Sequence, residues 1–123
     1  MLRCGVFFLV YMSTSTRRLD EVQLMDILTV SRATNAAIEV TGLLLYKGGS
    51  FMQMIEGEEG TVRELFEKIV RDPRHYNVVT LLEGVHKARV FPDCAMGFQH
   101  LDGAAVRDVP GFTSFQDVRL SER

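Results

Sequence analysis

The sequence predicts an α+β fold: a ferredoxin-like β-α-β-β-α-β-β sandwich, with a mixed sheet, two helices on one face and a short C-terminal appendix. Three observations carry the prediction. An apolar run, Val6 to Tyr11, opens the chain; two stretches of helical periodicity are separated by a glycine-turned pair of apolar runs; and two further strand-like segments follow the second helix. Two helices divided by a hairpin in this way lie together on one side of a single sheet.

Gly5 to Met12 is rich in Phe, Val and Leu, as suits a strand buried on both faces. Ser13 to Thr16 offers N-cap side chains, and Leu24, Ile27, Leu28 and Ser31 then recur at helical spacing, so the first helix is expected over Leu19 to Thr34. Val40 to Tyr46 and Ser50 to Glu56 flank Lys47, Gly48 and Gly49, a turn of hairpin type. Thr61 and Glu64 match a capping box, and Val62, Leu65, Phe66, Ile69 and Val70 form one apolar stripe, so the second helix is expected to end near Asp72, before Pro73. Val78 to Leu82 reads as the fourth strand. A fifth is expected around Met96 to Leu101, although Pro92 and Gly97 interrupt it. Residues 1–101 are therefore expected to form the domain. Residues 102–123, where the composition turns toward Gly, Asp and Pro, are expected to form a tail or short helical appendix.

Alternation along the strands makes both sheet faces apolar. Val6, Phe8 and Val10 point away from Phe7, Leu9 and Tyr11, and Met52 and Met54 point away from Phe51, Gln53 and Ile55. Helices cover one face, so the other is expected to be covered by the C-terminal tail or by a second copy in a homo-oligomer.

Composition narrows the function. The chain of 123 residues has the length of one domain, and its 14 basic and 16 acidic residues give a net charge of -2. With no basic block, nucleic acid is not an expected partner. Val6 to Tyr11 is too short to cross a bilayer, and no membrane association is expected. Cys4 and Cys94 form no C-x-x-C pair, which points to no disulfide framework and no metal site and fits a cytoplasmic location.

The informative residues are polar ones where the pattern asks for apolar. Gln53 sits mid-strand on the face of Phe51 and Ile55; left unpaired, a buried amide costs about 1–3 kcal/mol, so a polar partner should face it. Tyr11 closes strand one on the face of Leu9 and Phe7, and its hydroxyl can meet Gln53 if strands one and three are neighbours. Ile27, Ser31 and Asn35, at spacings of four, share a stripe near the end of helix one. Arg74 and His75 follow helix two. Taken singly, each has an ordinary explanation: a Gln at an exposed strand position or bonded to backbone, a core tyrosine, Asn35 as a helix C-cap, and Arg74 and His75 as solvated loop residues that complement the helix C-terminal dipole.

Together they resemble the BLUF family of flavin-based blue-light sensors. The matching blocks are Tyr11-Met12-Ser13, Ser31-Arg32-Ala33-Thr34-Asn35, Thr41-Gly42-Leu43-Leu44, Phe51-Met52-Gln53-Met54-Ile55-Glu56-Gly57, Arg71-Asp72-Pro73-Arg74-His75 and Ala95-Met96-Gly97-Phe98. They follow one another at the family's spacing over roughly residues 4 to 101. The resemblance implies a photoreceptor that signals by protein contact and carries out no chemistry on an outside substrate. Its cofactor is a flavin, FAD before FMN or riboflavin, with no nucleotide-phosphate loop in the sequence to choose among them. Ile27 and Ile69 are implied as walls for the ring, Ser31 as a neighbour on the same helix stripe, Asn35 as the partner of the pyrimidine edge, Arg74 as a donor to a ring carbonyl, and His75 as a neighbour of the ring or ribityl chain.

Tyr11, Gln53 and Met96 are implied as the photoactive set. The phenol gives up an electron and a proton, Gln53 relays the proton, and a rotated or tautomerised amide then shifts the flavin absorption to the red. Many members carry a tryptophan two positions before the late methionine; here Cys94 stands there, and the chain has no tryptophan. Cys94 reads as a small buried filler, and output is expected through Met96 and the tail to a separate downstream effector protein. Two alternatives remain at this point. One is a ferredoxin-like interaction or regulatory module without a chromophore. The other is a small acylphosphatase-type hydrolase using Arg17 or Arg18, although the preceding Ser-Thr-Ser-Thr segment lacks the glycines of a phosphate loop.

Overall fold

A computed structural model describes residues 5–92 and 95–100, the side chains of Gln99 and His100 excepted. The elements run β1 (Val6–Ser15), α1 (Glu21–Ala37), β2 (Thr41–Lys47), β3 (Ser50–Gly57), α2 (Glu59–Val70), β4 (His75–His86) and β5 (Gly97–His100). The sheet order is β4-β1-β3-β2-β5; the first four strands pair antiparallel, and β5 joins β2 in parallel. This is the ferredoxin-like order with one strand added, as expected from the sequence.

Several boundaries move, each for a local reason. β1 continues to Ser15 because β4 starts at His75, and Thr14 and Ser15 pair with Tyr76 and His75. Ser13 to Ser15 are thus sheet residues and do not cap α1. The cap is Asp20, whose Oδ1 accepts from the Gln23 amide at 2.8 Å while Gln23 Oε1 accepts from the Asp20 amide at 3.0 Å. α2 begins two residues ahead of Thr61, capped by Glu58, whose carboxylate accepts from the amides of Gly60 and Thr61 at 3.1 and 3.0 Å. A glutamate reaches these amides less often than a threonine caps, so the motif Thr61–Glu64 pointed to the wrong residue. α2 ends at Val70, just short of the expected Asp72. β4 runs well beyond Val78 to Leu82 in both directions. It is an edge strand with an exposed side, so polar Asn77, Thr80 and Glu83 interrupt its apolar pattern, and Asn77 with φ 56° absorbs a bulge.

Two glycine sites follow from geometry. Gly48 and Gly49 have φ of 56° and 83°, the left-handed pair that a two-residue hairpin requires between the paired Lys47 and Ser50. At Gly42, a Cβ would lie 2.0 Å from the Met54 carbonyl oxygen, so only glycine lets β2 approach β3 there.

On one face of the sheet, Leu9, Tyr11 and Ile55 pack with Leu24 and Leu28 of α1 and Val62 and Leu65 of α2. On the other, Phe8, Val10, Leu43, Leu45, Met52 and Met54 are all buried, with Phe91 inserted among them and Val90 beside it. The expected cover for this face was the tail or another subunit; the segment after β4 supplies part of it. Glu56, fully buried, holds that segment down. Its carboxylate accepts from the amides of Val90 and Phe91 at 2.9 and 2.8 Å and from Thr41 Oγ1 at 2.8 Å. Arg89 donates to Thr41 Oγ1 at 2.9 Å and to the Glu39 carbonyl at 2.7 Å. Cys4, Cys94, Leu101 and residues 102–123 lie outside the described residues, and with them the expectations of a Cys94 filler and a docked tail. No helix among the described residues is long and apolar enough to cross a membrane.

Candidate functional site

β1 and β3 are neighbours, and their register sets Tyr11 directly opposite Gln53. The Tyr11 hydroxyl donates to Gln53 Oε1. The other end of the same amide, Nε2, donates to Met96 Sδ at 3.3 Å. All three side chains are buried, at 3%, 6% and 0% exposure. The polar partner that a mid-strand glutamine demands is therefore the tyrosine of the adjacent strand. Burial, with the nearby Asp72 charge adding to it, raises the Tyr11 pKa far above the ordinary phenol value, so the phenol keeps its proton. Phe66 and His75 flank the Tyr11 ring at centroid distances of 5.5 and 6.2 Å.

Beside this pair, between the two helices, lies a cavity of about 250 Å³. Ile27, Ser31 and Asn35 line it from α1, Ile69 from α2, Arg74 from the turn into β4 and His75 from the first position of β4; Tyr11 and Gln53 form its sheet end. Met96 does not line the cavity and contacts it through Gln53. The stripe of i, i+4 and i+8 positions on α1 thus faces one ligand-sized space, as its spacing predicts.

Asn35 is not a helix C-cap. The cap residue is Ile38, and the Asn35 side chain turns inward, 3% exposed, where Nδ2 donates to the Ala95 carbonyl at 3.1 Å. One amide hydrogen is committed there; Oδ1 and the second hydrogen form the side-by-side acceptor and donor that a pyrimidine edge requires. Arg74 is engaged with Asp72, its Nε lying 3.0 and 3.1 Å from the two carboxylate oxygens. These hydrogen bonds hold the Asp72 carboxyl below the usual carboxylate range, against a smaller opposing effect of burial.

His75 belongs to β4 and not to a solvated loop. Its Nε2 lies 2.5 Å from the Ile69 carbonyl, which can only accept, so Nε2 carries the hydrogen. In the neutral ring, Nδ1 then accepts from the Ser13 hydroxyl at 2.7 Å. Ser13 was missed as a site residue because it was read as a cap; its place two residues from Tyr11 on the same strand face was the available signal. Leu44, Phe51, Lys68 and Asp72 also line the cavity, and Phe51 shares the Gln53 face in plain alternation.

The donor set fits a flavin. Two aliphatic side chains, Ile27 of α1 and Ile69 of α2, line the cavity; Asn35 presents an acceptor and a donor; and the buried Gln53 amide stands at the sheet end with a neutral phenol behind it.

A family model described as BLUF, sensors of blue light using FAD, matches residues 6–97. Among curated relatives, the chain is 37% identical over 84 residues to photoactivated adenylate cyclase subunit beta of Euglena longa, which covers 68% of this chain and 10% of that protein. It is 38% identical over 71 residues to the blue light- and temperature-regulated antirepressor BluF of Escherichia coli strain K12, covering 58% of this chain and 18% of that protein. The chain thus spans a minor part of the length of the curated relatives it matches. Among solved structures, the dark state of BlrB, a BLUF protein, superposes with a TM-score of 0.73 at 36% identity, covering 78% of this chain and 73% of that one. A bacterial light-regulated adenylyl cyclase superposes with a TM-score of 0.78 at 32% identity, covering 94% of this chain and 34% of that one.

Proposed function

The chain belongs to the BLUF family, sensors of blue light using FAD, and from that premise we propose that it converts light into a hydrogen-bond change at Gln53 and passes it by protein contact to an effector. Bound FAD supplies absorption of blue light and, once excited, a strong pull on a nearby electron. Ile27 and Ile69 would hold its ring between the helices, and Asn35 would pair with its pyrimidine edge. Ser31 would line the same wall, and Arg74 and His75 would border the ring and its side chain.

What the chain's own residues contribute follows from their bonds. Tyr11 is a neutral phenol, an oxidisable group whose proton already rests against an acceptor, Gln53 Oε1. Gln53 is a two-ended amide, a donor at Nε2 and an acceptor at Oε1. A half-turn of that amide would present Nε2 to Tyr11 and Oε1 to Met96 Sδ. A thioether has no hydrogen to offer, so Met96 would lose its bond, and the change would reach β5 beside β2.

The single observation that carries this reading is the buried chain Tyr11–Gln53–Met96 at one end of the cavity. An absorption difference spectrum of the FAD-loaded protein, before and after blue light, tests it. The expected result is a small red shift that reverses in the dark; an unchanged spectrum would sink the mechanism. The effector stays unnamed. Cyclase and antirepressor relatives support an output by contact, and exposed Tyr76, Val79 and Val85 along the edge strand β4 support self-association as part of it.

A further inference from the structure

Two side chains of α1 reach the main chain that leads into β5. Asn35 Nδ2 donates to the Ala95 carbonyl at 3.1 Å, and Arg32 Nε donates to the Met96 carbonyl at 2.9 Å. The two are three residues apart on the helix, so they take successive carbonyls from one face. Asn35 lines the cavity, and that place accounts for it. Arg32 does not line the cavity and is an exposed residue, yet its Nε turns inward to the Met96 carbonyl.

The carbonyl it holds belongs to the residue whose Sδ accepts from Gln53. Met96 is therefore fixed twice, at its side chain by Gln53 Nε2 and at its main chain by Arg32 Nε. A sulfur is a weak acceptor, and a contact of 3.3 Å to it persists only while the main chain keeps the thioether in place. The next residue, Gly97, adds little stiffness of its own.

We propose that Arg32 is a positioning residue of the switch: by holding the Met96 carbonyl it presents Sδ to Gln53 and so favours the dark orientation of the amide. The inference rests on the photoreceptor reading. Without Arg32 the dark orientation loses its acceptor for Nε2, and the return to it after light is slowed.

Arg32→Ala and Arg32→Lys in the FAD-loaded protein test this. The alanine variant should bind FAD and show the light-induced red shift, with dark recovery slowed about tenfold, the weight of one ordinary hydrogen bond. The lysine variant keeps a donor and should recover at a rate closer to wild type. Recovery of Arg32→Ala at the wild-type rate would overturn the proposal. Amide hydrogen exchange in the dark gives a second measurement that needs no photochemistry: the β5 amides should exchange faster in Arg32→Ala, and unchanged exchange would also overturn it. If the wild type shows no light-induced shift, the photoreceptor mechanism falls, while the exchange data still decide whether Arg32 fixes this main chain.

Discussion

Tyr11 and Gln53 stand opposite each other in the β1–β3 register, and the phenol donates its hydrogen to the amide oxygen across that pair. Both are buried, so neither can turn to water if the other is removed. Their bond is a piece of the core and, in the proposed mechanism, the first link of the switch.

Tyr11→Phe keeps the ring against Phe66 and His75 and deletes only the hydroxyl. The variant should retain FAD and lose the light-induced absorption shift. Its stability should fall by about 1–2 kcal/mol, since Gln53 Oε1 loses a buried donor. Urea unfolding and the difference spectrum check the two parts separately, and a normal photocycle would refute the role given to the phenol.

Gln53→Leu should likewise bind FAD without a photocycle, and it strands the Tyr11 hydroxyl at a cost of about 1–3 kcal/mol. The two effects are coupled. In the double variant Tyr11→Phe with Gln53→Leu no buried partner is left behind, so its loss of stability should be smaller than the sum of the single losses. Strict additivity in a double-mutant cycle would contradict the observed bond.

Glu56 is a different kind of anchor. Removing its carboxylate in Glu56→Ala leaves the amides of Val90 and Phe91 and the Thr41 hydroxyl without their acceptor, and it loosens Phe91 from the second core. A destabilisation of about 3–5 kcal/mol is expected, comparable to Phe91→Ala. A shift of the urea midpoint equivalent to less than about 1 kcal/mol would show that this segment is held by something else.

Asp72 links the site to pH. Arg74 lowers its folded-state pKa, so the folded form binds fewer protons than the unfolded chain as the pH drops. The stabilisation is therefore present above the unfolded value, about 3.9, and is lost as the pH falls through the lower folded value. Asp72→Asn should melt below wild type at neutral pH, and the gap should close at acid pH. A gap that widens with acid would reverse the assigned sign. The effect should be small, because the Arg74 side chain is 52% exposed.

The strand and helix order was legible because burial alternates every second residue in a strand and about every fourth in a helix, and both periods are local. Given that order, a ferredoxin-like sheet makes strands one and three neighbours, and the meeting of Tyr11 with Gln53 follows. The stripe Ile27, Ser31, Asn35 was legible for the same reason. The caps were not: Ser13 to Thr16 suit the role about as well as Asp20 does, and Thr61 suits it better than the observed cap Glu58, so a choice by residue type alone points elsewhere. Ser13 was hidden by that same choice.

The sequence by itself determined the element order, the two apolar faces, the family and the polar residues that needed partners. Only the tertiary structure decided that Asn35 meets Ala95 and that two residues the pattern did not single out, Arg32 and Glu56, hold Met96 and the amides of Val90 and Phe91. The physical reason is one of range. A side chain's periodicity says which way it faces, whereas a bond to a main-chain carbonyl 60 or 64 residues away depends on how the sheet brings β5 against β2 beneath the helix. Tyr11 and Gln53 stand between these cases, 42 residues apart yet predictable, because the register of one strand pair was enough to join them.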